Sequence, residues 1–170
     1  MTDEQLLKTF DTMRSGLYIV TSAYRRKPAG CTCTWVTRAS FQPPMIAVYL
    51  QPNRHTLSVV EQGKRFCVNI LGESGLQLAR RFGYVSGMDE DKFGDVSYTN
   101  SPGGSPLLDI AVGYIDCKLT QVVAVGDHQL AVGQVVAAAL ASNEPPLVYN
   151  PETFYSTGGF REESAGGSGE

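Results

Sequence analysis

Apolar and polar positions alternate over most of the chain, and the alternating runs predict strands. They cover residues 17–24 (LYIVTSAY), 32–36 (TCTWV), 45–50 (MIAVYL), 65–71 (RFCVNIL), 111–125 and 129–141, with a short addition at 147–149. Three segments follow a helical period instead. Residues 3–13 place Leu6, Leu7, Phe10 and Met13 on one stripe behind an acidic first turn, Asp3 and Glu4, which predicts an amphipathic helix packing on the strands. Residues 55–62 form a second helix, capped by Asn53 and ended by Gly63 as a C′ glycine, and residues 75–82 a third, with Leu76, Ala79 and Phe82 inward.

Turn residues order these elements. Residues 25–30 read as the turn that reverses the first strand, and the pair Pro43-Pro44 starts a strand at an edge or corner, because a proline cannot sit in a central ladder. Gly126-Asp127-His128 separates two long apolar runs, a hairpin with a histidine at its tip or first rung. Residues 83–105 carry no period, so this span is a candidate lid. Residues 162–170 (EESAGGSGE) are low in apolar residues and read as a disordered tail, leaving residues 1–161 as one domain. Short strands, few helices and no βαβ alternation predict a mainly β, antiparallel barrel. No G-x-G-x-x-G opens a helix, which argues against a Rossmann nucleotide site.

Composition narrows the function. Lysine and arginine nearly balance aspartate and glutamate, for a net charge of -3, which disfavours nucleic acid and anionic membranes as partners. There is no bilayer-length apolar run and no secretory n-region, so a cytoplasmic protein is expected. The cysteines, Cys31, Cys33, Cys67 and Cys117, form no C-x-x-C pair; they read as small buried hydrophobes, and no metal site is predicted.

Candidate chemistry is concentrated between Gly30 and Thr56. This stretch gathers the hydroxyls of Thr32, Thr34, Thr37, Ser40 and Thr56, the indole of Trp35, and Arg38, Arg54 and His55, and it ends where a helix begins. A flat, polar-edged, phosphorylated ligand needs that mixture: donors for the ring edge, an aromatic wall, and a helix mouth for the phosphate.

Thr34-Trp35-Val36-Thr37, then Ala39-Ser40-Phe41, Pro43-Pro44 and Asn53-Arg54-His55-Thr56, resemble the flavin-binding signature of the flavin reductase-like family, the FMN-binding split barrels. The likeness is strongest to flavoredoxins and to the C-terminal flavin reductase module of flavodiiron proteins. It continues through Asp91-Lys92-Phe93, Gly104-Ser105-Pro106-Leu107-Leu108, Gly126-Asp127-His128 and Pro146-Leu147-Val148-Tyr149. The resemblance implies a Greek-key split β-barrel with a few short peripheral helices, assembled as a homodimer with a flavin near the interface. It implies FMN, with FAD an alternative, reduced by NADH or NADPH, the electrons passing to an acceptor or a redox partner protein.

By the same resemblance, the strand edge of Thr32, Cys33, Thr34 and Trp35 faces the ring. Asn53, Arg54, His55, Thr56 and Ser40 serve the phosphate, Lys92 the carbonyl edge or phosphate, and His128 touches flavin or nicotinamide and manages a proton near N5. Phe154, Tyr155 and Phe160 are expected to cover a flavin face or a partner subunit. The rival readings are a non-catalytic flavin-binding carrier or sensor, and a partner-binding barrel with no ligand.

Overall fold

The structure, a computed structural model, describes residues 2–155. The chain runs α1 (Asp3–Phe10), β1 (Tyr18–Tyr24), β2 (Lys27–Cys33), β3 (Val36–Phe41), β4 (Pro44–Leu50), α2 (His55–Gly63) and β5 (Arg65–Leu71). A 3-10 turn at Glu73–Gly75 then leads to α3 (Leu76–Tyr84), β6 (Tyr98–Asn100), β7 (Pro106–Leu108), β8 (Ala111–Val125), β9 (His128–Leu140) and α4 (Pro151–Tyr155).

Seven strands form one antiparallel sheet in the order β2-β1-β5-β8-β9-β4-β3. The sheet curls because β8 is bulged twice, between Asp116 and Cys117 and between Leu119 and Gln121, and a bulge bends its strand. The two edge strands, β2 and β3, are not joined by a ladder. The barrel is therefore split along that line, and the two residues that cross the split, Thr34 and Trp35, belong to neither strand.

Alternation along β1 shows how both faces of the sheet are covered. Val20 points into the barrel, where it joins Cys31, Cys33, Val48, Phe66, Val68 and Cys117, with Leu57 and Val60 of α2 laid against them. Its neighbour Ile19 points outward into a second core with Leu17, Leu71, Ala79 and Phe82 of α3, Phe93 and Phe154. Burying an apolar side chain of this size contributes about 1.5–3 kcal/mol. The two cores thus hold the curled sheet and its outer helices in one arrangement. All four cysteines are buried and unpaired, as expected.

Several boundaries differ from those read in the sequence. Residues 27–30 are the first half of β2, and the reversal is made by Arg25 and Arg26 alone, both at positive φ (49° and 64°). That backbone normally calls for Asn-Gly, so two arginines gave no turn signal. The run 32–36 is broken at Thr34, and α2 is entered through Arg54, not Asn53, with no side-chain cap. Gly63 is the last helical residue, and Lys64 takes the left-handed position at φ 55°. Residues 147–149 make a single bridge, Gly16 to Val148, rather than a strand. Helix α1 has no buried residue, with Leu7 62% and Phe10 54% exposed, so its stripe does not pack on the barrel. Phe160 and the tail from 162 onward lie outside the described residues.

Candidate functional site

The end of β2, the end of β4, the mouth of α2 and the tip of the β8–β9 hairpin meet at one end of the barrel. Register explains it: Leu50 at the end of β4 pairs with Gln129 at the start of β9, and β4 then leads through the turn at residues 51–54 into α2. The Arg54 amide bonds the Gln51 carbonyl at 3.1 Å, closing that turn.

The mouth of α2 is built to receive an acceptor. Helices leave their first N–H groups without intrahelical partners and carry partial positive charge there. Here the N-cap side chain makes no capping bond, and the first turn holds no acidic residue. Thr56 is buried and hydrogen-bonds the Cys31 thiol of β2, which fixes the helix against that strand. Burial pushes the Cys31 thiol up despite Thr56, Lys92 and Arg54 nearby, so it stays a neutral thiol.

A pocket opens beside this mouth, lined by Gly30, His55, Thr56, Lys92 and the loop residues Gly87, Glu90 and Asp91, among others. Lys92 is only 5% exposed, and its ammonium donates to the carbonyls of Gly30 (3.1 Å) and Phe82 (3.0 Å). Desolvation lowers its pKa; the neighbouring Cys31 opposes that shift and Arg54 adds to it. Arg54 itself donates from Nε to Gln51 Oε1 and from Nη1 to the Gly83 carbonyl at the end of α3. The span 83–105 is thus pinned at its centre by Lys92 and the buried ring of Phe93, and also by the Arg81–Asp95 ion pair. Its buried middle is part of the wall rather than a free flap.

The ring-facing half lies a few residues further along β2. The Cys33 thiol is turned inward and donates to the Tyr49 carbonyl at 3.3 Å, and burial drives its pKa far up. The Thr32 hydroxyl donates to the Ala79 carbonyl of α3. Both side chains are therefore engaged within the protein. What the segment offers a ligand is its backbone, on an edge strand, together with Trp35. The indole is 55% exposed, crosses Tyr49 nearly at right angles at 6.2 Å, and lies 4.6 Å from the His128 ring at a tilt of 39°. His128 is the first residue of β9, and its Nδ1 is 2.7 Å from Asp127 Oδ1.

Of the residues singled out in the sequence, the structure brings together Thr32 to Trp35, Arg54, His55, Thr56, Lys92 and His128. Asn53 is exposed in the turn before the helix. Ser40 is set apart: it pairs with Met45 at the far end of β4 from Leu50 and accepts a hydrogen bond from the Gln42 amide. Five residues of strand put roughly 17 Å between those ends. Gly83, Tyr49 and Gly87 were not singled out in the sequence; no local pattern marks a residue whose role comes from a neighbour distant in the chain. Phe154, expected over a ligand or a partner, is buried against Tyr84 and Tyr149.

A split antiparallel barrel with an aromatic wall and an uncapped helix mouth at one end is the architecture of a flavin-handling oxidoreductase. Residues 10–158 match the flavin reductase like domain, and the chain belongs to that family. It is 33% identical over 135 residues to HsaB, the reductase subunit of a flavin-dependent monooxygenase of Rhodococcus jostii, covering 79% of this chain and 68% of that one. Component B of nitrilotriacetate monooxygenase from Mycobacterium thermoresistibile superposes with a TM-score of 0.80 at 27% identity, over 87% of this chain and 83% of that one. The flavin reductase HpaC, solved with NADP+, gives a TM-score of 0.76 at 25% identity over 87% and 93%. The protein is a flavin-reducing oxidoreductase.

Proposed function

We propose that the protein is an NAD(P)H-dependent flavin reductase that holds FMN across the end of the barrel and serves an electron-accepting partner. The observation that carries this reading is that the helix mouth, through Thr56 on Cys31 at the end of β2, and the aromatic wall of Trp35 and His128 adjoin one short stretch of chain, residues 31–35. When bound, FMN supplies the redox chemistry, taking hydride at N5 from reduced nicotinamide and releasing electrons singly or in pairs. The chain's own work is to bind and orient. The N–H groups of His55 and Thr56 at the mouth of α2, which no side chain caps, and the Lys92 ammonium suit a phosphate, the β2 backbone suits the polar ring edge, and Trp35 walls one face. The first turn of α2 holds no carboxylate, and the acidic residues that line the pocket, Glu90 and Asp91, come from the loop after α3.

HsaB is the reductase subunit of a flavin-dependent monooxygenase, which supports a partner protein as the acceptor. The exposed apolar side chains Phe41 (82%) on β3, Val125 on β8, and Val136 and Leu140 (81%) on β9 support a homodimer, since such surface in one sheet is commonly covered by a second copy. We place the protein in the cytoplasm, in keeping with four reduced cysteines and, among the described residues, no helix long and apolar enough to cross a membrane.

The test is spectroscopic. FMN titrated into the purified chain is expected to quench the fluorescence of Trp35, the single tryptophan. Anaerobic NADH or NADPH is then expected to bleach the flavin bands. Quenching without bleaching by either nicotinamide would turn the reading to a flavin carrier; neither effect would turn it to an unliganded barrel.

A further inference from the structure

Helix α3 ends against two cations that belong to other parts of the chain. Its closing bond runs from the Val85 amide to the Arg81 carbonyl, and the carbonyls that follow have no helical partner. The Lys92 ammonium donates to the one on Phe82 at 3.0 Å, and Arg54 Nη1 to the one on Gly83 at 3.3 Å. The negative end of a helix suits both cations. Where α3 ends therefore decides where the two charges beside the mouth of α2 stand.

The last turn of α3 is in turn clamped from outside by α4. Asn150 caps α4 through its side-chain oxygen, which accepts from the Glu152 amide at 2.9 Å, and Pro151 suits the first helical position. Arg80 Nε donates to the Phe154 carbonyl at 3.1 Å, the Tyr84 hydroxyl donates to the same oxygen at 3.1 Å, and Arg80 Nη2 donates to the Thr153 carbonyl. The Phe154 ring is buried with its tip over Gly83: a Cβ added to that glycine would lie 3.3 Å from Phe154 Cζ and 3.5 Å from Thr32 Cβ. The bare Gly83 backbone is thus held between β2 on one side and Phe154 on the other.

We infer that Phe154 is a positioning residue for the phosphate end of the site: by pressing Gly83 against β2 it holds the end of α3, and with it Arg54 and Lys92, in place beside the mouth of α2. The inference rests on the proposed flavin reading and adds to it a part of the chain distant from the motifs that carry that reading. Its effect on a ligand passes through two carbonyls and two cationic side chains. The ring end of the site is set differently, by Trp35 against Tyr49 and by His128 at the start of β9. A change at Phe154 therefore separates the two ends of the ligand.

The test compares FMN with riboflavin, which lacks the phosphate, by quenching of Trp35. Phe154→Ala is expected to weaken FMN about tenfold and riboflavin less than about twofold. Phe154→Leu stays apolar but falls short of Gly83; it is expected to lie between wild type and Phe154→Ala, and it serves in place of the alanine variant where that one does not fold. A reading without flavin comes from 13C NMR of the lysine side chains, with Lys92 assigned against Lys92→Met. Burial holds the Lys92 ammonium below the usual 10.5, and in either Phe154 variant it is expected to titrate closer to that value, because a loosened α3 admits water.

A wild-type ratio of FMN to riboflavin affinity in the folded variants, or an equal loss of both ligands, would overturn the inference. A wild type that binds FMN no more tightly than riboflavin would overturn the phosphate reading instead. The Lys92 titration then decides the positioning role alone, upheld by a shift in the variants and overturned by none.

Discussion

Lys92 donates a hydrogen bond to the Gly30 carbonyl at 3.1 Å, and through that bond the loop after α3 becomes a wall of the pocket beside the helix mouth. The ammonium is buried and its pKa is held below the usual 10.5. As pH rises toward 10.5, the folded chain gives up this proton before the unfolded chain does. The unfolded state then binds more protons, so Lys92 adds stability across the interval just below 10.5 and no more above it. Lys92→Met removes that rise. The stability of wild type minus that of the variant, from urea unfolding at a series of pH values, is expected to grow through that interval. At neutral pH the two are expected to lie within about 2 kcal/mol, because the loss of two hydrogen bonds is set against relief from burying a charge.

The thiols act with the opposite sign. Burial pushes Cys117 up to about 12, and Cys31, Cys33 and Cys67 also rise above the ordinary 9.0. Above pH 9.0 the unfolded chain loses thiol protons that the folded chain keeps, so stability present below that pH falls as pH rises toward 12. Each such thiol contributes a slope of about 1.4 kcal/mol per pH unit. Cys117→Ala is expected to flatten the alkaline limb by one thiol's share, checked by unfolding at pH 9 to 11.

The phosphate reading is tested by paired ligands. Riboflavin lacks the phosphate that the α2 mouth and Lys92 are proposed to hold. Wild type is therefore expected to bind FMN at least tenfold more tightly than riboflavin, a difference of about 1.4 kcal/mol or more. Thr56→Val keeps the shape of a buried residue but removes its hydroxyl at the helix mouth. It is expected to narrow that ratio severalfold in a Trp35 quenching titration while leaving riboflavin affinity nearly unchanged.

Gly133 in β9 separates fold from site. A Cβ there would lie 2.5 Å from the Phe66 ring and 2.8 Å from the Cys117 Cβ, both deep in the barrel. The ring has no room to retreat, so Gly133→Ala is expected to destabilise by about 1–3 kcal/mol. That corresponds to a drop in Tm of roughly 2–12 °C by calorimetry. At temperatures where the variant is folded, flavin quenching of Trp35 is expected to persist.

Local chemistry in the chain was enough to find β5 to the residue, the β8–β9 hairpin, the inward face of α3 and the burial of all four cysteines. Each follows from a period or a turn residue that acts on its immediate neighbours. The errors have physical causes of the same kind. Arg25 and Arg26 adopt a backbone that their side chains do not favour, and the short α1 has an apolar stripe that no described residue buries.

By itself, then, the sequence determined that this is an antiparallel β protein, where most strands lie, and which short stretch carries flavin-type chemistry. It did so because alternation, glycine and proline act over a few residues, and because the family motifs are contiguous. Only the tertiary structure decided that the Thr32 hydroxyl turns to α3, that Ser40 on β3 lies opposite Met45, at the end of β4 remote from Leu50, and that His128 reaches Trp35. Those outcomes depend on strand register and on the bulges in β8, which bring together residues far apart in the chain and leave no local mark.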